Sequence, residues 1–163
     1  MPGDVLGIDI GGVIIKKIDE SSDTSFDEDF ERTPAVVGAI GSIKLIMARR
    51  FGDNVYLVSK CGAKIEALTR RWLDLNFFQQ TGFNPDNVHF CEQRNQKAPI
   101  CDALRITHFI DDRLEVLSHL DTVKNLYLFQ PTDDEVARFS THLGAVTTVH
   151  SWADIAHELL GNR

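Results

Sequence analysis

A doubly wound α/β fold, with a mainly parallel sheet and helices on both faces, is predicted by three observations. Short apolar runs rich in Val, Ile, Leu, Phe and Tyr recur along the chain. Amphipathic stretches of helical length separate them, and 163 residues give room for one core, so a single domain over residues 1–163 is expected. Strands are expected at Val5 to Ile10, Val55 to Ser59, Val88 to Cys91, Thr107 to Ile110, Leu126 to Gln130 and Ala145 to Val149. Helices fit between them at about Pro34 to Phe51, Ala63 to Gln79, Pro99 to Arg105, Arg113 to Leu120, Thr132 to Thr141 and Trp152 to Leu160. Thr33 with Pro34, and Ser151 before Trp152, carry the side-chain cap and tolerated first-turn residue of a helix start.

One segment breaks the alternation. Between Lys17 and Arg32 the chain reads IDESSDTSFDEDFE, with seven acids (Asp19, Glu20, Asp23, Asp27, Glu28, Asp29 and Glu31) and few aliphatics. A solvated acidic flap at about residues 17–32 is expected there.

Composition narrows the function classes. The chain is 43% hydrophobic and 25% charged, with a net charge of −7, and phosphate backbones are held chiefly by Lys and Arg. Nucleic acid is therefore disfavoured as a partner. No apolar run approaches the ~18 residues that span a bilayer, and Met1-Pro2-Gly3-Asp4 has no secretory character, so a cytoplasmic protein away from membranes is expected. Cys61, Cys91 and Cys101 have no CxxC spacing and read as reduced, mostly buried thiols. The six histidines, at 89, 108, 119, 142, 150 and 157, show no ligand spacing and read as packing or surface residues.

In such sheets ligands collect at the carboxyl ends of the strands. Asp9 falls at the end of the first strand, within LGIDIGG, and Asp111 and Asp112 end the fourth, within THFIDDR. If these strands are neighbours their ends lie about 5 Å apart. Three carboxylates that close raise one another's pKa unless a cation compensates them, and an all-oxygen ligand set suits Mg²⁺. The bland alternative for Asp111 and Asp112 is to cap the helix that begins near Arg113. Ser59 ends the second strand, and Lys97 precedes a short helix that leads into the acidic strand, with Lys60, Lys64 and Arg94 as basic alternatives.

Asp9, Ser59, Lys97 and Asp111-Asp112, in that order from Gly7 to Asp112, resemble the four motifs of the haloacid dehalogenase superfamily of phosphohydrolases. The resemblance implies an aspartyl-phosphate formed on Asp9, with Lys97 beside it as a second catalytic group. It implies Mg²⁺ held by Asp9, the Gly11 carbonyl and one or both of Asp111 and Asp112. Phosphate oxygens would be clamped by Ser59, Lys97 and the backbone of Gly11 and Gly12. The superfamily's phosphatases usually carry an acid two residues after the nucleophile, whereas this chain has Gly11, so Asp19 and its acidic neighbours are candidates to supply the proton. The short intervals between motifs leave no room for a large cap. An open site of this kind suits a phosphorylated small molecule or phosphoprotein, or a homo-oligomer in which a second subunit covers it.

Two other readings arise from the same residues. LGIDIGG also resembles the phosphate loop of sugar kinases and actin-like ATPases, but that fold needs two such domains and roughly twice this length, and it gives no account of FIDD. A dehalogenase-like module that lacks an acid at position 11 would instead bind a phosphorylated partner or turn over slowly.

Overall fold

The computed structural model describes residues 3–17 and 30–161. Six strands, β1 (Leu6–Ile8), β2 (Val55–Lys60), β3 (Val88–Cys91), β4 (His108–Asp111), β5 (Asn125–Phe129) and β6 (Thr147–Val149), form one sheet in the order β3-β2-β1-β4-β5-β6. Every pairing is parallel, with Ile8 opposite both Leu57 of β2 and Ile110 of β4. β1 is thus the centre of the sheet, and the order reverses beside it. A crevice opens at such a switch point outside the carboxyl ends of the strands.

The helices are α1 (Ala39–Ile46), α2 (Ala63–Asn76), α3 (Phe78–Thr81), α4 (Lys97–Ala103), α5 (Leu114–Leu117), α6 (Asp133–Arg138) and α7 (Trp152–Leu160). Alternation along the strands divides the core in two. Leu6, Ile8, Ile110 and Phe129 pack with Ile43 of α1, Trp72 of α2 and Ile155 of α7. Val58, Phe109 and Leu128 pack on the other face with Cys101 of α4 and Leu114 of α5. Strands buried on both sides lose the polar half of their pattern, which is why they read as continuous apolar runs. Gly7 is required here, since a Cβ on it would stand 2.5 Å from the Phe109 ring.

Several expectations are corrected. The first helix does not start at Thr33-Pro34. Pro34 O accepts from Lys16 N and Val36 N donates to Ile14 O, so this backbone is committed to pairing with the segment that leaves β1. Helix α1 begins only after Gly38, whose φ of 82° turns the chain, and Met47–Phe51 continues it as a π-helical turn. Ala63 to Gln79 divides into α2 and α3, Lys97 opens α4 where the sequence suggested Pro99, and Ser140–Ala145 is a 3₁₀ segment, so β6 is shorter than expected. Ser151 does cap α7, accepting from Asp154 N at 3.0 Å, and Thr132 caps α6 in the same way.

Two indole N–H groups fix the ends of the excursion after β1. Trp152 Nε1 donates to Val13 O and Trp72 Nε1 to Thr33 O, each at 2.8 Å. Of the acids expected in the flap, Asp19, Glu20, Asp23, Asp27, Glu28 and Asp29 lie outside the described residues. Glu31, in a 3₁₀ turn, pairs with Arg71. Among the described residues no helix is long and apolar enough to cross a membrane.

Candidate active site

Adjacency of β1 and β4 brings their carboxyl ends together. Asp9 follows Ile8 directly and its N–H donates to Ile110 O at 2.9 Å, while Asp111 ends β4 and Asp112 follows it. Carboxylate oxygens of Asp9, Asp111 and Asp112 all lie within 4.8 Å of one another, and all three residues are buried. The cap reading of Asp111 and Asp112 is corrected: the helix at Leu114–Leu117 has no side-chain cap, and the Asp111 oxygen that accepts from Arg113 N at 3.0 Å closes the turn before it.

Of Lys97 and its basic alternatives Lys60, Lys64 and Arg94, Lys97 is the one that pairs with this cluster. It lies on α4, is 2% exposed, and its Nζ stands 3.0 Å from Asp9 Oδ1 and 2.8 Å from Asp111 Oδ2. The Phe109 ring lies 5.7 Å from the same ammonium. Lys60 and Arg94 line the surrounding cleft without touching Asp9, and Lys64 is exposed at the start of α2. Sequence reasoning missed Lys17, whose Nζ pairs with Asp112 Oδ2 at 2.9 Å. Only its place one residue beyond Lys16, at the edge of the acidic run, hinted at a role.

The electrostatics follow from this crowding. Burial pushes the Asp9 carboxyl well above the usual carboxylate range, the Asp111 charge acts in the same direction, and Lys97 opposes both. Asp111 is raised chiefly by burial, again with Lys97 opposing. Burial alone would lower Lys97, but the charges of Asp111 and Asp9 outweigh it and hold the ammonium above the usual lysine range. Three buried carboxylates are therefore balanced by two lysines. Their all-oxygen chemistry and mutual closeness fit a hard divalent cation such as Mg²⁺.

The turn after Asp9 is shaped by its glycines in different ways. Gly12 has φ of 82°, and a Cβ there would meet Asp112 Oδ2 at 2.5 Å. Its N–H already donates to Ile15 O at 2.8 Å. Of the pair, Gly11 is the one that lines the cleft, and a Cβ on it would meet nothing within 4 Å. Ser59, at the end of β2, lines the cleft too, so every predicted site residue except Gly12 borders one cavity of about 590 Å³. Among the described residues its only acids are Asp9, Asp111 and Asp112, and Phe30 forms part of its wall.

The three thiols are free, as expected, but their burial departs from expectation. Only Cys101 is buried; Cys61 and Cys91 are half-buried, because they sit at the ends of β2 and β3, and Cys61 borders the cleft.

No family model and no curated protein matches the sequence. Solved structures do match. A haloacid dehalogenase family hydrolase from Deinococcus radiodurans, solved with bound phosphate and sodium, superposes with a TM-score of 0.66 at 14% identity, over 97% of this chain and 95% of that one. A protein from Streptomyces avermitilis assigned to the same hydrolase family gives 0.52 at 16% identity, over 98% and 91%. At such identities the likeness speaks for architecture, and what it establishes is that this chain has the haloacid dehalogenase-like fold.

Proposed function

We propose that this protein is a phosphomonoester hydrolase that works through an aspartyl-phosphate on Asp9. The observation that carries the reading is the convergence of Asp9, Lys97, Asp111 and Asp112 at the crevice between β1 and β4. An Asp9 oxygen attacks phosphorus and the ester P–O bond breaks, and the leaving oxygen departs with the bonding pair and takes its proton from solvent water to become the alcohol. Water then attacks the same phosphorus, freeing inorganic phosphate and restoring the Asp9 carboxylate, so one difficult displacement becomes two easier ones.

Lys97 orients the Asp9 carboxylate and supplies positive charge where phosphoryl oxygens gather, and Ser59 offers a hydroxyl from the neighbouring strand end. Asp9, Asp111, Asp112 and the Gly11 carbonyl would hold Mg²⁺. Bound there, the ion would neutralise charge on the phosphoryl oxygens. Gly12 serves by making room for Asp112, since its N–H is engaged with Ile15.

The test is Mg²⁺-dependent hydrolysis of p-nitrophenyl phosphate by the parent and by Asp9→Asn. Turnover that vanishes in Asp9→Asn, with ³²P retained on the trapped parent, supports the reading. Turnover unchanged in Asp9→Asn removes Asp9 as nucleophile.

A second reading, a phosphate-binding module with little turnover, is favoured by one observation. Gly11 stands where the superfamily's phosphatases carry an acid, and among the described residues no further acid lines the cleft. Phosphate binding without hydrolysis of any phosphomonoester would decide for it.

A further inference from the structure

A second cavity, of about 460 Å³, adjoins the cleft, and the two share Lys60 and Arg94 as lining residues. Its other walls are polar, from Gln93, Asn95, Glu115 and His119. Both shared cations are tied by the backbone to the phosphate end of the site. Lys60 follows Ser59 on β2, and Arg94 stands three residues before Lys97.

The turn bearing Arg94 is held in place. Gln96 Oε1 accepts from the N–H groups of Glu92 and Gln93, at 3.0 and 2.8 Å. Glu115 Oε2 accepts from Arg94 Nη1 at 2.6 Å, which fixes the guanidinium and leaves its other N–H groups without a partner among the described residues. Lys60 is exposed, and its ammonium makes no ion pair or hydrogen bond among the described residues. A chain of net charge −7 thus places six cations around its cleft, at Lys16, Lys17, Lys60, Arg94, Lys97 and Arg113. Lys97 and Lys17 already balance the three carboxylates. Lys60 and Arg94 pair with none of the three carboxylates: Arg94 is held by Glu115 instead, and both cations border the second cavity as well as the cleft.

We infer that Lys60 and Arg94 form a second anion subsite, so that the substrate is a phosphomonoester carrying a further anionic group, a carboxylate or a second phosphate. The inference rests on the hydrolase reading for the word substrate; the subsite itself is a matter of binding. Cations lining a cleft concentrate anions there, and an ionic hydrogen bond from a fixed guanidinium gives direction to that attraction. Glu115 acts as a positioning residue for Arg94.

Three non-hydrolysable probes separate these claims by calorimetry with Mg²⁺ present: methylphosphonate, 3-phosphonopropanoate and propane-1,3-bisphosphonate. The parent is expected to bind at least one of the two-anion probes about 10-fold more tightly than methylphosphonate. Lys60→Met should abolish that gain and Lys60→Arg should keep it, while the probe that shows it identifies carboxylate or phosphate as the partner group. Equal binding of all three by the parent, or a gain that survives in Lys60→Met, overturns the subsite. A gain in a protein that hydrolyses no phosphomonoester leaves the subsite standing and removes the hydrolase reading. Hydrolysis without a gain does the reverse.

Discussion

Lys97 Nζ lies 3.0 Å from Asp9 Oδ1 at the floor of the cleft, and the same ammonium reaches Asp111 Oδ2 at 2.8 Å. One buried cation therefore holds two carboxylates from neighbouring strands. Removing one partner of a buried pair costs about 3–5 kcal/mol because the remaining charge is left uncompensated. Lys97→Met should lower the urea unfolding free energy by about that amount, and adding Asp111→Asn should restore part of it. An unfolding midpoint unchanged in Lys97→Met would mean that the carboxylates are neutral without it.

Gly11 is the position at which chemistry can be added. Its φ is not left-handed and a Cβ meets nothing within 4 Å, so a side chain can start from this position without displacing the turn. General acid–base help is worth about 10²–10⁴-fold. Gly11→Asp should therefore raise kcat for alkyl phosphates within roughly that range, and much less for p-nitrophenyl phosphate, whose phenol leaves easily. Equal gains on both substrates would argue against leaving-group protonation.

Much of this arrangement was legible in the sequence, for identifiable reasons. Strands buried on both faces show as apolar runs, and Asp9, Ser59 and Asp111 end or follow such runs, so their convergence follows from β1 lying between β2 and β4. Lys97 is marked by its order along the chain, but its burial is not foreseeable, because sequence does not show that Phe109 and two carboxylates gather around its ammonium. The start of α1 was misplaced since Thr33-Pro34 has the local chemistry of a helix start, while Ala35 is committed to a bridge with Ile15, a contact distant in sequence. The Lys17–Asp112 pair was hidden for the same reason.

Asp9, Asp111 and Asp112 should confer metal-dependent stability. A cation that binds only the folded chain stabilises it by about 2.7 kcal/mol at roughly 100 times its Kd. Adding Mg²⁺ should raise the parent's Tm, and EDTA should reverse the rise. In Asp112→Asn the Mg²⁺-dependent part should shrink strongly. A Tm insensitive to Mg²⁺ in the parent would remove the carboxylate cluster as a metal site.

Gly12 and Gly11 should respond very differently to the same small change. At Gly12 a methyl group meets Asp112 Oδ2 at 2.5 Å and Lys17 Cε at 2.9 Å, and the left-handed backbone adds about 1–2 kcal/mol of strain. Gly12→Ala should lose at least that much stability and weaken the Mg²⁺ response, because Asp112 must move. Gly11→Ala should be near neutral in stability. Comparable urea midpoints for the two variants would contradict this.

At the opposite end of the sheet His108 should set a second pH dependence. Its Nδ1 lies 2.8 Å from Thr107 Oγ1, which donates to Val5 O, and Arg50 Nη2 stands 3.5 Å from Nε2. Arg50 can only donate, so this arrangement needs a neutral ring with Nε2 accepting. Asp4 pairs with Arg50 at 2.6 Å, and the Tyr127 ring stacks on the imidazole. Burial first, and Arg50 second, lower the His108 pKa below its ordinary 6.5, with Asp4 opposing. An unfolded chain then binds the proton more readily, so this stability is complete above pH 6.5 and is lost as pH falls from there towards the folded value. The raised carboxyls of Asp9 and Asp111 act in the opposite sense, so the contribution of His108 is read as the difference between the parent and His108→Gln. Plotted as Tm against pH, that difference should narrow as the solution is acidified below pH 6.5. A difference constant from neutral into acidic pH would show that the ring is charged in the folded chain as readily as in the unfolded one.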